Sequence, residues 1–253
     1  FCLKIEIGNN LGINQRRESP AERPRPRPQS LALTPGAIPL PAAPTPPHGL
    51  CCQMVKIAIV YYSLYGHIRK MAEAVKKGVE DAGHTATLLQ LPETLSEEVL
   101  AKMHAPPKSD DAVVTLADLE AYDGIIFGLS GRYGQFSAQF KTFWDSTGSL
   151  WAAGKLIGKP AAVFASTAQQ GGGQETIGLT LIPQLAHHGM IFVPLGYADP
   201  KLFVNTEVHG GSPYGAGTIA NGDGSRMPSE LELGIAVTQG TNFAKVAAKL
   251  AAK

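Results

Sequence analysis

The chain has 253 residues, 44% of them hydrophobic and 17% charged, with a formal net charge of +1. That is enough apolar material for one buried core without help from disulfides or a structural metal. Near-zero charge leaves no electrostatic footprint for nucleic acid, and no apolar run approaches the ~20 residues that a membrane-spanning helix requires.

These totals join two unlike segments. Residues 1–53 hold 10 of the 19 prolines, all three cysteines (Cys2, Cys51, Cys52), six basic residues and three acidic ones. Runs such as Arg23-Pro24-Arg25-Pro26-Arg27-Pro28 fix φ, remove backbone donors and offer almost nothing to bury, so a disordered Pro/Arg-rich extension is expected here. Arg bias raises the idea of a transit peptide, but such peptides are amphipathic and acid-poor, and this stretch is neither. Met54, directly before the first predicted strand, reads like a natural start. The remaining 200 residues, 54–253, keep 16 basic and 18 acidic side chains and no cysteine, which excludes thiol redox chemistry there.

From Met54 onward the pattern alternates. Val55 to Tyr62 is a β-branched apolar run without polar alternation, as befits a parallel strand covered on both faces. Ile68, Met71, Ala72, Val75 and Val79 then recur at helical spacing, up to Gly83. Further strands are expected at Thr85–Leu91, Gly124–Leu129, Ala161–Ser166 and Met190–Pro194. Helices are expected at Leu116–Tyr122, Ser137–Thr147, Glu175–His188 and Ser229–Ala252. Right-handed βαβ crossovers then yield an α/β fold: a flavodoxin-like open five-stranded parallel sheet with helices on both faces. Two segments exceed that frame, Pro92–Thr115 and the glycine-rich Gly196–Pro228; segments of such length usually serve function or subunit contact.

Ligands of an open parallel sheet bind beyond the carboxyl ends of its strands, so the loops after the first, third and fourth strands are the places to look. The first, Ser63-Leu64-Tyr65-Gly66-His67-Ile68, runs straight into a helix whose free N–H groups favour an anion. With neither GxxxxGK[ST] nor GxGxxG, a terminal monophosphate held by the Ser63 hydroxyl and backbone N–H groups fits best, as in FMN; the bland alternative is an ordinary helix cap by Ser63. Ser130-Gly131-Arg132-Tyr133-Gly134 brings an aromatic ring to the same edge. Ser166 to Glu175 contains Gly171-Gly172-Gly173, whose entropic cost close approach to a ligand would explain. His187-His188 reads first as helix C-terminal hydrogen bonding, Trp144 as core and Trp151 as a pocket wall. The serines lack a nucleophile elbow and no zinc pattern exists, so hydrolysis is a weak reading, whereas a bound flavin would bring its own reactive atom.

Tyr61 to Ile68, Phe140 to Gly148, Ser166 to Glu175, His187 to Met190, Gly210 to Ala216 and Asn221 to Arg226 together resemble the WrbA-like NAD(P)H:quinone oxidoreductases, over essentially Met54 to Lys253. The resemblance implies a flavodoxin-like FMN-binding domain, usually a homotetramer, that reduces quinones by two electrons with NADH or NADPH through ping-pong hydride transfer. It also implies a cytoplasmic protein, with peripheral membrane association as a variant. Carried over by position, Ser63, Leu64, Tyr65, Gly66, His67 and Ile68 hold the FMN phosphate, and Tyr65 also meets the nicotinamide nucleotide. Gly131, Arg132 and Tyr133 line the isoalloxazine, with Ser166, Thr167, Gln170, Gly171 and Gly172 on its other side. His187 matches a further flavin contact and Trp151 a wall of the substrate site. Related sequences usually read Pro-Thr-Arg-aromatic-Gly where this chain has Ser130-Gly131-Arg132-Tyr133-Gly134. The resemblance therefore implies a lost side-chain hydrogen bond to the flavin, of roughly 1–3 kcal/mol. A rival reading is a flavin-binding electron carrier or scaffold without enzymatic turnover, although a net −2 is weak for a steered carrier.

Overall fold

The computed structural model describes residues 53–252, so the extension expected over 1–53 lies outside the described residues apart from Gln53. In chain order the elements are β1 (Lys56–Tyr61), α1 (His67–Asp81), β2 (Thr85–Gln90), α2 (Glu97–Lys102), β3 (Ala112–Val113), α3 (Leu116–Ala121), β4 (Gly124–Arg132) and β5 (Gln135–Phe136). They continue with α4 (Ala138–Asp145), α5 (Gly148–Ala152), β6 (Pro160–Thr167), α6 (Thr176–His187), β7 (Ile191–Phe192), a 3-10 turn (Pro200–Phe203), β8 (Gly217–Ile219) and α7 (Glu230–Ala251). Among the described residues no helix is long and apolar enough to cross a membrane.

The sheet runs β3-β2-β1-β4-β6-β7, with every pair along this path parallel. Side chains of β1 alternate between two cores. Ala58 and Val60 join Phe127, Phe140, Trp144 and Leu181 on one face. Ile57, Ile59 and Tyr61 join Met71, Val75, Ile235 and Phe243 from α1 and α7 on the other. This double covering is what a strand without polar alternation requires. Trp144 is a core residue, stacked on Phe140 with centroids 5.5 Å apart.

The five expected strands are present, joined by three short ones. The fifth is cut down to Ile191–Phe192: Val193 still donates to the Ala161 carbonyl (2.8 Å), but Pro194 has no N–H to continue the ladder, and the chain leaves the sheet. Its place beside the carboxyl half of β6 is taken by β8, which pairs Gly217 to Ile219 with Ala165 to Thr167. The glycine-rich segment thus supplies an edge strand, and residues 92–115 contain α2 and β3. The remaining short strand, β5, folds back antiparallel on the end of β4.

Candidate functional site

Beyond the carboxyl ends of β1, β4 and β6 lies a cleft of about 380 Å³. Its walls are Ser63, Leu64, Tyr65, His67 and Ile68; Ser130, Gly131 and Arg132; Ser166, Thr167 and Ala168; and Ala220 to Gly224. Three loops chosen from sequence therefore converge, and a fourth joins them. The volume lies within the range of small-molecule sites.

The first wall is built by the entry into α1. Gly66 sits at φ +92°, a left-handed conformation costly for any side chain, and it turns the chain sharply into the helix. Ser63 Oγ accepts hydrogen bonds from the N–H groups of Gly66 (3.1 Å) and Arg69 (3.3 Å). Gly66 is the N-cap of α1; Ser63, three residues before it, satisfies one first-turn N–H from outside the helix, lines the cleft and keeps its hydroxyl hydrogen for an anion. The N–H groups of His67 and Ile68, in the first turn, have no intrahelical acceptor by geometry and stand at the same wall. Arg69 is turned away onto Asp111 (3.0 Å) and Glu73 (2.7 Å). An anion here meets a hydroxyl, N–H groups and a helix dipole, with no lysine or arginine from α1, and this donor set fits a phosphate monoester.

β4 and β5 form the second wall as a hairpin whose two-residue turn is Tyr133 (φ +50°) and Gly134 (φ +80°). Tyr133 is fully exposed at the apex and does not itself line the cleft. A Cβ at Gly131 would lie 2.9 Å from Ile177 Cδ1, 3.1 Å from the Ser166 carbonyl oxygen and 3.1 Å from Thr167 Cγ2. The backbone of β4 therefore approaches β6 and α6 closely at this point. The third loop is folded on itself: Thr167 donates to the Gln169 carbonyl (2.9 Å), and Gln174 bridges Thr167 Oγ1 (2.8 Å), the Thr218 carbonyl (3.0 Å) and the Gly211 N–H (2.9 Å). Ser166 and Thr167 face the cleft, whereas Gly171 and Gly172 do not, and Gln170 faces a second hollow with residues 204–209.

The profile of the NADPH-dependent FMN reductases matches residues 55–201. The chain is 57% identical over 199 residues to the NAD(P)H quinone oxidoreductase YCP4 of Candida albicans, covering 78% of this chain and 69% of that one. It is 54% identical over 197 residues to the quinone-oxidoreductase QR2 of Triphysaria versicolor, covering 77% and 96%. A solved WrbA-like flavodoxin from Agrobacterium tumefaciens superposes with a TM-score of 0.54 at 28% identity, covering 77% and 98%. The chain belongs to the FMN-reductase family, in its WrbA-like quinone oxidoreductase branch.

The long segment after β2 packs beside the first wall. Tyr61 donates to Asp111 (2.5 Å) and also bonds Ser109 (2.8 Å). Burial foremost, with Asp111 beside it, pushes the Tyr61 phenol up to about 12. Burial alone would raise the Asp111 carboxyl, but hydrogen bonds from Tyr61, Arg69 and Ser109 outweigh it and hold it below the usual range. Tyr62 donates to Glu93 (3.0 Å), which also pairs with Lys108 (2.6 Å), and burial followed by the Glu93 charge raises the Tyr62 phenol strongly. Tyr65 donates to the Met103 carbonyl (3.1 Å). Three tyrosines at and just past the end of β1, Tyr61, Tyr62 and Tyr65, thus anchor residues 92–115 next to the cleft.

The two remaining family positions lie elsewhere in this chain. His187 is exposed at the end of α6, where the Gly158 N–H donates to the Gly189 carbonyl (2.8 Å) just ahead of β6, at the opposite edge of the sheet from the cleft. Trp151, 62% exposed, belongs to α5, which leads into that same edge. His188 is the buried partner of the pair: Thr147 donates to the Trp144 carbonyl (2.7 Å), so His188 Nε2 donates to Thr147 Oγ1 (2.9 Å), and Nδ1 has no partner. Burial pushes its imidazole down. Ser130, Ala168 and Ala220–Gly224 are cleft residues without an individual sequence assignment; the first two lie in loops already singled out, and the Asn221-Gly222-Asp223-Gly224 run of turn formers was the local signal for the last.

Proposed function

We propose that this chain is an FMN-dependent NAD(P)H:quinone oxidoreductase. The observation that carries the reading is the meeting of the Ser63–Ile68 anion site with the Ser130–Arg132 and Ser166–Ala168 walls in one cleft. Ser63 Oγ and the first N–H groups of α1 bind the phosphate, while the β4–β5 hairpin and the end of β6 flank the ring system. When FMN is bound there, the chemistry it supplies is hydride acceptance from NADH or NADPH and two-electron return to a quinone, in ping-pong order. The protein's own part is orientation and exclusion: the backbone walls hold the rings in place, and Tyr65, tethered to residue 103, borders the entrance. Family membership and relatives bearing quinone oxidoreductase names support this reading.

His187 and Trp151 enter the reading through assembly. Both stand on the edge remote from the cleft of their own chain, beside exposed Ile157 (72%) and Ile191 (41%). A homotetramer in which one subunit's remote edge covers a neighbour's cleft reconciles the family's contacts with this geometry and buries that apolar surface.

The test is an apoprotein titrated with FMN and then studied by half-reactions. NADH or NADPH alone bleaches the yellow protein, and a quinone added afterwards restores the colour. Bleaching that requires quinone to be present refutes the ping-pong order, and a protein that refuses FMN refutes the whole reading. Light scattering that finds only monomers at enzyme-assay concentration refutes the tetramer.

A further inference from the structure

The cleft's fourth wall, Ala220 to Gly224, lies outside any helix or strand, so something other than a ladder must hold it. Its base is closed by the Arg226 N–H on the Ala220 carbonyl (3.1 Å). The Arg226 side chain then reaches back through Nη1 to the Ile219 carbonyl (2.6 Å) and the Glu232 carboxylate (2.9 Å), and through Nη2 to the Val208 carbonyl (2.9 Å). Glu232, fully buried in α7, collects the N–H groups of Gly210 (2.9 Å), Ile219 (3.2 Å) and Ser229 (2.8 Å) and the Thr218 hydroxyl (2.8 Å). A capping box needs only the Ser229 contact. The donors of Gly210, Thr218 and Ile219 precede the loop and Arg226 follows it, so one carboxylate and one guanidinium fix where the loop leaves the protein and where it returns.

The far side of that loop touches the anion site. The Gly224 carbonyl oxygen lies 3.0 Å from His67 Nε2, and His67 is 7% exposed at the start of α1, among the groups that face a phosphate. A chain of direct contacts therefore runs from Glu232 through Arg226 and the loop to His67. A buried ion pair is weak evidence for stability alone, since apolar residues of similar volume often serve as well. Fixing a mobile wall at a defined height is a task that directional hydrogen bonds perform and apolar packing does not.

We propose that Arg226 and Glu232 are positioning residues that set the Ala220–Gly224 wall against His67 and so tune selectivity for the phosphorylated flavin, without touching it. The inference rests on the proposed FMN site and adds a determinant to it. Because the wall bears on the phosphate end of the cleft, its loss weakens FMN more than riboflavin, which lacks the phosphate.

The experiment compares FMN and riboflavin affinities of full-length apoprotein, parent and Arg226→Gln, by quenching of flavin fluorescence. Glu232 keeps four other donors in Arg226→Gln. The variant is expected to lose at least tenfold in FMN affinity and less than threefold in riboflavin affinity, with amide hydrogen exchange accelerated at residues 219–226 even without flavin. Arg226→Lys keeps the charge but not the fork to two carbonyls; it is expected to fall between the two and carries the comparison if Arg226→Gln does not fold. Equal losses for both flavins, as general loosening would produce, overturn the proposal, and so does unchanged FMN affinity. A parent protein that binds no FMN overturns the functional reading and this inference together, whereas a parent that binds it beside an unaffected variant overturns this inference alone.

Discussion

Replacing Gly131 by threonine, the residue that the WrbA-like resemblance implies at this place, separates two accounts of the second wall. If glycine merely forfeits a hydrogen bond to the flavin, threonine restores roughly 1–3 kcal/mol of affinity. The geometry gives the opposite sign. The new Cβ would meet Ile177 Cδ1 at 2.9 Å and both the Ser166 carbonyl oxygen and Thr167 Cγ2 at 3.1 Å. The isoleucine tip can yield, but the carbonyl belongs to the backbone of β6, and Thr167 lines the cleft. Overpacking a filled seam costs ~1–3 kcal/mol, and if roughly 1–2 kcal/mol of it falls on the bound state, FMN affinity drops about five- to thirtyfold. Ile177→Val removes the offending Cδ1 and by itself costs ~0.5–1.5 kcal/mol of stability. In the double variant it recovers part of the lost affinity, a coupling of at least ~0.5 kcal/mol in the mutant cycle. Titration of the four apoproteins with FMN, alongside their melting curves, reads these terms. Tighter binding by Gly131→Thr, or no coupling to Ile177, refutes the steric account.

Other expectations concern pH. His188 is held neutral by burial, with Nδ1 facing no donor, so the unfolded chain takes up a proton near its ordinary 6.5 that the folded chain refuses. Stability therefore falls as pH drops below that value, by at most about 1.4 kcal/mol per pH unit, and His188→Asn flattens the slope in urea melts run at a series of pH values. A slope unchanged by the substitution refutes the assignment. Asp111 works in the same direction at lower pH: its carboxyl sits below 3.8, so its contribution is complete above that value and disappears as acid protonates it. Asp111→Asn should shift the midpoint of acid unfolding upward and return the Tyr61 phenol from about 12 toward its usual range, seen as tyrosinate absorbance at lower pH. Tyr61→Phe removes the bonds to both Asp111 and Ser109 and is expected to cost ~1.5–3 kcal/mol in the same melts, the worth of a hydrogen bond to a charged group.

How far the fold could be read from the chain depended on the range of the forces involved. The apolar run 55–62, the helical stripe from Ile68 to Val79 and the alternation of strands and helices are local patterns, and they specified the parallel sheet and its site-bearing edge. The loop at Ser63–Ile68 was legible for the same reason, because a glycine turn into a helix N-terminus makes an anion site wherever it occurs. Pro194 truncates a strand by its own chemistry, but nothing near it in sequence announces that β8, some twenty residues later, takes over the edge.

Tertiary structure decided what depends on distant partners. It swung Ala220–Gly224 into the cleft through a carboxylate on α7, pointed position 131 into packing against Ile177, and left Gly171, Gly172 and Gln170 outside the cleft they were expected to line. It also put His187 and Trp151 on the edge of this chain remote from the cleft. Periodicity and turn chemistry record only what neighbours along the chain do to one another. Which loops share a wall depends on contacts between residues far apart in sequence, and one sequence does not carry the distances between them.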